Sequence, residues 1–374
     1  MTSQTEIPEA RPTLSVVVPT YREAANVPVL FERLKATLEG LPWEMIVVDD
    51  DSPDGTADIA FGLSKSDPRI RCIRRVNRVG LAGAVIEGWL SSSADLVAVI
   101  DGDLQHDESI LPTMYEALAS RRGNLAVGTR VADEKAPKGL SPARQKLSEL
   151  GAWFFRRVAG TNVRDPMSGF FMIRRETVSR LAPRLSPDGF KILVDVILSS
   201  RGDLEIVETP YVFRKRQAGE SKLSPLVGLD FLGLVAHHAS GDLLPTRFML
   251  FALVGAVGLG VHFLVLLSLI RLLGVANFVD AQVVATLVAM GSNFLLNNEI
   301  TYRANRYSGL GLIAGFAQFA LLCSVGALAN IDIASTLFAR DRVWWADGLA
   351  GALIGVVWNY AASSTIVWRK RRKG

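Results

Sequence analysis

Residues 97–106 read VAVIDGDLQH, an apolar run that stops abruptly at two acids. The run begins at Leu96, and five apolar residues before a turn are typical of a strand buried on both faces of a parallel sheet. Alternate side chains of an extended chain project to the same side, so Asp101, Asp103 and Gln105 can converge on one point. Three oxygen-bearing side chains suit a hard cation, Mg²⁺ or Mn²⁺, which would in turn hold a diphosphate. An acidic turn that caps the next helix is the alternative, because a D-x-D pattern alone is weak evidence.

The chain changes character about two thirds of the way along its length. Residues 1–223 mix charged and apolar runs as a soluble α/β domain does, whereas residues 248–270, 310–331 and 348–367 contain no Asp, Glu, Lys or Arg. A helix needs about 20 apolar residues to cross a bilayer, so these runs predict transmembrane helices, with a fourth, less pure one at 279–298. A large soluble core is the alternative. The polar, acidic N-terminus carries no signal-peptide pattern.

Basic residues predict the orientation of these spans. Arg247 precedes the first span, Arg303 and Arg306 follow the second, and a basic cluster at 369–373 ends the sequence. With four spans these residues lie on one side, and their excess places both termini and the soluble domain in the cytoplasm. A net charge of +4 without a nucleic-acid motif gives no reason to expect a nucleic-acid partner. Two cysteines make no disulfide framework.

Four further apolar runs predict the rest of a sheet. With helical patterns between them, these runs lie at 14–18, 45–48, 70–74 and 125–128. Strands that alternate with helices predict a parallel, doubly wound sheet, which binds ligands at the carboxyl ends of its strands. Polar clusters follow the strands, at 19–23, 49–54, 101–105 and Arg130. Four such clusters on one edge indicate a binding site.

Eight motifs follow one another in this soluble part: VVVPTYREAANV (16–27), VVDDDSPDGT (47–56), NRVGLAGA (77–84), DGDLQH (101–106), VGTR (127–130), DPMSGFF (165–171), GFKIL (189–193) and FRKRQAGESKL (213–223). Together they resemble the family-2 glycosyltransferases of the GT-A fold, in particular the dolichyl- and polyprenyl-phosphate mannose synthases, over residues 13–223. Two positions depart from that pattern: Asp51 stands where Asn is common, and Asp107 where Pro is usual.

Three motifs of the apolar part are RFMLFALVGAVG (247–258), NFLLNNEITYR (293–303) and WNYAASSTIVWRK (358–370). They resemble the GtrA-like membrane domain of four spans that is often joined to these enzymes. Between the two parts, residues 224–245 place apolar side chains among polar ones, which predicts one or two interfacial amphipathic helices. The predicted domains are therefore 1–223, 224–245 and 246–374.

The resemblance implies an inverting transfer of a sugar from a nucleotide diphosphate sugar to a lipid phosphate, and the likeness to the mannose synthases makes this mannose from GDP-mannose to a dolichyl or polyprenyl phosphate. The orientation predicted from the basic residues places this reaction at the cytoplasmic membrane face. The resemblance also implies a Mg²⁺ or Mn²⁺ site at Asp101, Asp103 and Gln105, where the cation acts as a Lewis acid on the departing diphosphate. The positions that it assigns to the nucleotide sugar are Pro19, Tyr21, Glu23, Asp50, Arg78, Asp101 and Asp103. Asp50 can instead be an ordinary helix cap.

The acceptor needs cations rather than a base, because the second pKa of a phosphate monoester is about 6 and the group is largely anionic near neutrality. Arginine suits such a phosphate because its planar fork binds two oxygens. The resemblance assigns the acceptor phosphate to Arg130, Arg144, Ser148, Arg214 and Lys222, and makes Asp103, Arg130 and Arg144 catalytic. A solvated surface charge is the alternative for any single arginine. Asp165 is expected to be structural or orienting.

The apolar part also contains a candidate internal repeat. Asn293, Phe294, Ile300, Tyr302 and Arg303 recur as Asn359, Tyr360, Ile366, Trp368 and Arg369, at a constant shift of 66 residues. The shift predicts a duplicated helical hairpin. Two independent interface belts of aromatic and arginine side chains are the alternative.

Three functions are compatible with the sequence. The first is the polyprenyl-phosphate mannosyltransferase, and the second is a polyprenyl-phosphate glucosyltransferase of the same architecture that uses UDP-glucose. The third is a lipid-sugar translocator with an attached binding domain. Four short spans without an intramembrane acid pair argue against the translocator, and DLQH with GESKL favours mannose.

Overall fold

The computed structural model describes residues 11–76, 80–131, 153, 155–187, 191–214, 226–241, 243–274, 277–341 and 355–369. The chain forms two compact units, Met1–Ala239 and Ser240–Gly374.

The first unit is built on a sheet of seven strands. They are β1 (Leu14–Thr20), β2 (Trp43–Asp49), β3 (Ile70–Arg74), β4 (Leu96–Val99), β5 (Leu125–Val131), β6 (Phe171–Arg174) and β7 (Ile206–Val212). Their order is β3-β2-β1-β4-β6-β5-β7, and only β6 runs antiparallel to its neighbours. The predicted, mostly parallel sheet is thus confirmed. The order reverses between β1 and β4, which is the place where open α/β sheets form a ligand crevice.

Helices cover both faces of the sheet, as its apolar strands require. They are α1 (Asn26–Thr37), α2 (Thr56–Ser64), α3 (Leu81–Ser91), α4 (Leu111–Ala119), α5 (Arg175–Leu181), α6 (Ile192–Ser199) and α7 (Leu226–Ala239). Within β1, Val17 belongs to the core on the face that α3 and α6 cover, whereas Val16 and Val18 belong to the core under α1 and α4. The alternation explains why β1 is apolar at successive positions.

Helix α7 lies within the segment 224–245 that the sequence assigns to the membrane interface. Its Val235 is fully buried in the core of the first unit, and Leu234 is nearly so. His238 Nε2 lies 3.1 Å from the Oδ1 atom of Asp195 on α6. One side of α7 therefore packs on the first unit, and its interfacial position stays a prediction.

The second unit is helical and strongly apolar. It contains α8 (Thr246–Leu273), α9 (Phe278–Leu296), α10 (Gly311–Asp341) and helical residues 355–362. Two helices of the described residues, Thr246–Leu273 and Phe278–Thr301, are long and apolar enough to cross a membrane. The predicted number of four spans stays a prediction.

The structure supports the predicted duplication in the second unit. π-Helical turns lie at Asn297–Thr301 and at Ser363–Val367, which is the shift of 66 residues found in the sequence. The residues that follow them, Tyr302 and Trp368, stack on each other with ring centroids 4.4 Å apart and planes 4° from parallel. Equivalent positions of the two hairpins thus meet face to face, which independent interface belts do not explain.

Both hairpins also contain a similar glycine notch, although the two glycines are 68 rather than 66 residues apart. A Cβ atom at Gly258 of α8 would clash with the Asn293 amide, and one at Gly326 of α10 would clash with the Asn359 amide. In each hairpin the first arm therefore supplies a glycine and the second arm supplies an asparagine that packs against it.

Candidate active site

The polar clusters at the strand ends converge on one cavity of about 350 Å³ in the first unit. Eight of the predicted site residues line it: Pro19, Tyr21, Glu23, Asp50, Asp101, Asp103, Gln105 and Arg130. Pro19 and Arg130 lie near the ends of β1 and β5, and the other six follow β1, β2 or β4. Arg78, Arg144, Ser148 and Lys222 were also predicted and lie outside the described residues.

Asp101, Asp103 and Gln105 line the cavity directly after β4. Asp103 accepts a hydrogen bond from the Gln105 backbone N–H at 3.2 Å. Between them, Leu104 adopts a left-handed backbone with φ of 62° and is buried. On the far side, a Cβ atom at Gly169 would collide with the Asp101 carboxylate. The DPMSG backbone therefore lies directly against the first of the two acids, a closeness that only glycine allows.

These three side chains fit a divalent cation that is shared with a substrate. The described residues contain no group of three or more His, Cys, Asp and Glu side chains that could enclose a metal on their own. Mg²⁺, however, is usually held by one or two carboxylates together with substrate phosphates and water. Two carboxylates and an amide oxygen on the wall of an open cavity match that donor set.

Asp50 also lines the cavity, and both of its carboxylate oxygens already accept hydrogen bonds. Its Oδ1 accepts from Arg75 Nη1 at 2.5 Å, and its Oδ2 accepts from the Gly80 backbone N–H at 2.7 Å. Burial raises the pKa of Asp50 above its usual range, although the Gly80 N–H and the Arg75 charge act in the opposite direction. Helix α2 begins at Thr56 after Gly55 without a side-chain cap. Asp50 thus fixes the turn before α3, and the helix-cap interpretation is wrong.

Arg130 points its guanidinium at Asp165. Nε donates to Oδ2 at 2.6 Å and Nη2 donates to Oδ1 at 2.9 Å. The guanidinium also lies 5.5 Å from the centre of the Phe213 ring. The hydrogen bonds to Asp165 raise the pKa of Arg130 further, against the effect of burial. Asp165 therefore orients a permanent cation in the cavity, as expected for this position.

The structure does not bring Arg214 into the cavity. Its Nη2 lies 2.7 Å from Asp107 Oδ1, and its Nη1 lies 2.6 Å from Glu108 Oε2. Arg214 also exchanges backbone and amide hydrogen bonds with Gln105, at 2.8 and 3.1 Å. Asp107 and Glu108 thus hold the predicted acceptor ligand against the loop that follows β4.

Two comparisons of sequence now identify the family. Residues 15–181 match the family described as Glycosyl transferase family 2, and residues 250–368 match the GtrA/DPMS transmembrane domain. The chain is 31% identical to the dolichol-phosphate mannosyltransferase of Pyrococcus furiosus, over 95% of this chain and 99% of that protein. The chain belongs to the dolichol-phosphate mannosyltransferase family. The enzyme is thus a family-2 glycosyltransferase of the GT-A fold with a transmembrane domain, and a membrane protein.

Other similarities cover a part of the chain. The enzyme is 30% identical to the undecaprenyl-phosphate mannosyltransferase of Micrococcus luteus, over 56% of this chain and 86% of that protein. It is also similar to the solved structure of glucosyl-3-phosphoglycerate synthase from Mycobacterium tuberculosis in complex with Mn²⁺, UDP and glucosyl-3-phosphoglycerate. That similarity has a TM-score of 0.48 at 20% identity and covers 62% of this chain and 81% of the other.

Sequence reasoning missed a second cation in the cavity of the enzyme. Lys191, directly before α6, lines the cavity, and its ammonium group is within electrostatic reach of Asp101, Arg130 and Asp165. Burial lowers the pKa of Lys191, with the nearby Arg130 acting in the same direction. The GFKIL motif contained the signal, but a lone lysine in a loop carries no spacing that predicts its partners.

Proposed function

We propose that the enzyme transfers mannose from GDP-mannose to the phosphate of a dolichol or another polyprenol, with inversion and with a divalent cation, at the cytoplasmic membrane face. The observation that carries this proposal is that one cavity is lined both by the acids Asp101 and Asp103 and by the cations Arg130 and Lys191, which lie within electrostatic reach of Asp101. A donor diphosphate with its cation and an acceptor phosphate need both kinds of group in one site.

The acids of the cavity suit the donor. Asp101, Asp103 and Gln105 would hold Mg²⁺ or Mn²⁺, which when bound stabilises the negative charge that develops on the departing diphosphate. The nucleotide would lie toward Pro19 and Asp50, where the Asp50–Arg75 ion pair fixes the turn at Gly80. We include Tyr21, Glu23 and Arg78 among the nucleotide ligands.

The cationic side chains of the cavity suit the acceptor. A phosphate monoester is largely anionic at neutral pH, so the protein has no need to remove a proton from it. Two anions a few ångströms apart in a partly dehydrated site repel by several kcal/mol unless cations lie between them. Arg130 and Lys191 supply such cations, and we assign Arg144, Ser148, Arg214 and Lys222 to the same phosphate. For Arg214 this requires that its ion pairs with Asp107 and Glu108 open.

The donor, the lipid and the metal are tested together with the full-length enzyme in nanodiscs. Labelled GDP-mannose and labelled UDP-glucose are each offered with dolichyl or undecaprenyl phosphate, after treatment with EDTA and again after addition of Mg²⁺ or Mn²⁺. We expect labelled lipid from GDP-mannose only, and only with the cation. Transfer from UDP-glucose and not from GDP-mannose would show that the enzyme is a glucosyltransferase. Full transfer in EDTA would contradict the proposed requirement for a divalent cation.

The orientation is tested with fusions to the C-terminus in a bacterial host. We expect a fluorescent protein to fold there and periplasmic alkaline phosphatase to be inactive, because the terminal basic cluster is retained in the cytoplasm. Active phosphatase would place the C-terminus outside the cytoplasm.

A further inference from the structure

His106 lies behind the proposed metal site in an aromatic surround. It is 4% exposed, and its ring centre lies 5.4 Å from that of Phe170, 5.7 Å from that of Tyr211 and 5.4 Å from that of Phe213. Its edge still reaches the cavity wall next to Asp101. A polar ring in such a surround is stable only if both of its nitrogens have partners.

Both nitrogens of His106 have a partner in the structure. Nδ1 lies 2.6 Å from the Tyr211 hydroxyl oxygen, and Nε2 lies 3.2 Å from Asp101 Oδ2. A carboxylate only accepts, so a neutral imidazole must carry its proton on Nε2 to bond Asp101. Nδ1 is then an acceptor, and the Tyr211 hydroxyl must donate to it. Asp101 therefore sets the tautomer, and the Tyr211 hydroxyl stabilises it by donating to Nδ1.

The same contact restricts Asp101. His106 binds Oδ2, and the Gly169 backbone lies so close to the same carboxylate that it limits the space around it. A carboxylate with one oxygen bonded to a buried ring has few rotamers left, and its second oxygen is presented in a fixed direction. In metal sites, groups that bond to a ligand in this way typically change metal affinity by about 10–100-fold when they are removed.

We propose that His106 is a positioning residue that presents Asp101 to the divalent cation, and that Tyr211 supports His106 by donating a hydrogen bond to Nδ1. The proposal rests on the metal site of the proposed function. It assigns the histidine of DGDLQH a task, and it connects the loop after β4 to Tyr211 on β7, which is separated from His106 by 105 residues.

The test is a titration of the full-length enzyme with Mn²⁺ in the presence of GDP, followed through the electron paramagnetic resonance signal of free Mn²⁺. We expect His106→Leu, which keeps the bulk and loses both nitrogens, to weaken Mn²⁺ binding by about 10–100-fold. His106→Gln, whose amide nitrogen can replace Nε2 as donor to Asp101, should recover much of that loss. Tyr211→Phe, which keeps the ring and removes the donor to Nδ1, should lie between the wild type and His106→Leu.

Controls separate positioning from folding and from the proposed function. GDP binding without metal should change little in His106→Gln and Tyr211→Phe, and a thermal melt should show that each variant is still folded at the temperature of the titration, although loss of a buried hydrogen bond lowers its midpoint. If His106→Leu binds Mn²⁺ as tightly as the wild type, or if His106→Leu and His106→Gln lose equal affinity, the role of His106 is overturned. Neither result would contradict the proposed function. A wild-type enzyme that binds no Mn²⁺ with GDP would instead contradict the metal site of the proposed function.

Discussion

Arg130 and Asp165, 35 residues apart in the sequence, form a two-point ion pair in which Nε–Oδ2 and Nη2–Oδ1 measure 2.6 and 2.9 Å. One edge of the guanidinium is thereby fixed on the protein, and the plane of the group is set. An arginine held in this way can offer its remaining donors to an oxyanion without losing side-chain freedom at that step. Asp165 therefore contributes orientation, and a role as proton acceptor would require this pair to break.

The first prediction follows from that pair. Arg130→Lys keeps the charge but loses the planar fork, so we expect it to reduce turnover and the affinity for lipid phosphate less than Arg130→Ala does, yet to remain impaired. Asp165→Asn should resemble Arg130→Lys, because the guanidinium stays charged but loses its orientation. Steady-state kinetics with varied polyprenyl phosphate measures these effects. A calorimetric titration that shows lost nucleotide binding in Arg130→Ala would move this arginine to the donor side.

The second prediction concerns the metal. Asp103→Asn keeps the shape of the side chain but removes a charge from the cation site, so we expect turnover to fall by about 10²–10³-fold, as it does when a catalytic electrostatic group is removed. The thermal unfolding midpoint should change little because Asp103 lines an open cavity. Asp95→Asn is the matched control, since its exposed carboxylate lies at the opposite end of β4. Near-normal turnover of Asp103→Asn in Mg²⁺ or Mn²⁺ would contradict the assignment.

The strands around the site were predictable because a strand that is buried on both faces has a continuous run of apolar residues. The apolar runs of β1, β2 and β4 end at polar clusters, and parallel strands place those ends on one edge. By contrast, β6 has four residues and runs antiparallel between β4 and β5. Nothing local in its sequence distinguishes that direction from the parallel one, because the chain between β5 and β6 decides it.

Partners across the fold were not predictable for a related reason. The motifs identify the acids and arginines of the site. The ion pairs of Arg75 with Asp50 and of Arg214 with Asp107, however, join segments that follow different strands. A side chain that can reach several neighbours has no periodic pattern. The sequence therefore identified Arg214 as a cation of interest without showing that the carboxylates next to it in space already bind it.

The third prediction is a pH dependence. Burial lowers the pKa of Lys191, so the folded protein loses this proton at a lower pH than the usual value of about 10.4 for lysine. We expect kcat/KM to decline on the alkaline side below that value. Lys191→Arg, which stays charged, should lack this decline, and Lys191→Met should have low activity throughout. An identical alkaline limb in the wild type and Lys191→Arg would show that another group titrates.

The same shift fixes the sign of its effect on stability. The unfolded chain binds the Lys191 proton more tightly than the folded chain does. The free energy of unfolding therefore increases as the pH rises from the folded-state pKa of Lys191 to its unfolded-state pKa. Below the folded pKa the full cost of the buried charge is present. We therefore expect Lys191→Met to be no less stable than the wild type at neutral pH, which a thermal melt checks.

The fourth prediction concerns the domain boundary. A chain truncated after residue 245 should fold and bind nucleotide, because the described nucleotide-site residues all lie in the first unit. A chain truncated after residue 223 also lacks α7, whose Leu234 and Val235 belong to the core. Each lost apolar side chain costs about 1.5–3 kcal/mol, so this second chain should unfold at clearly lower temperature. Failure of the longer chain to bind nucleotide would contradict the predicted division into domains.

The fifth prediction tests the duplicated hairpin of the membrane domain. In α8, a methyl group at position 258 meets the Asn293 amide, whereas one at position 255 or 260 meets open space. We expect Gly258→Ala to destabilise the domain by about 1–3 kcal/mol through overpacking, and Gly326→Ala, which faces Asn359, to do the same. Gly255→Ala and Gly260→Ala should be neutral or stabilising, because alanine favours a helix. Thermal unfolding in one detergent measures all four variants. If Gly258→Ala proves destabilising while Gly326→Ala matches the two controls, the hairpins do not share one packing rule and the duplication loses its energetic support.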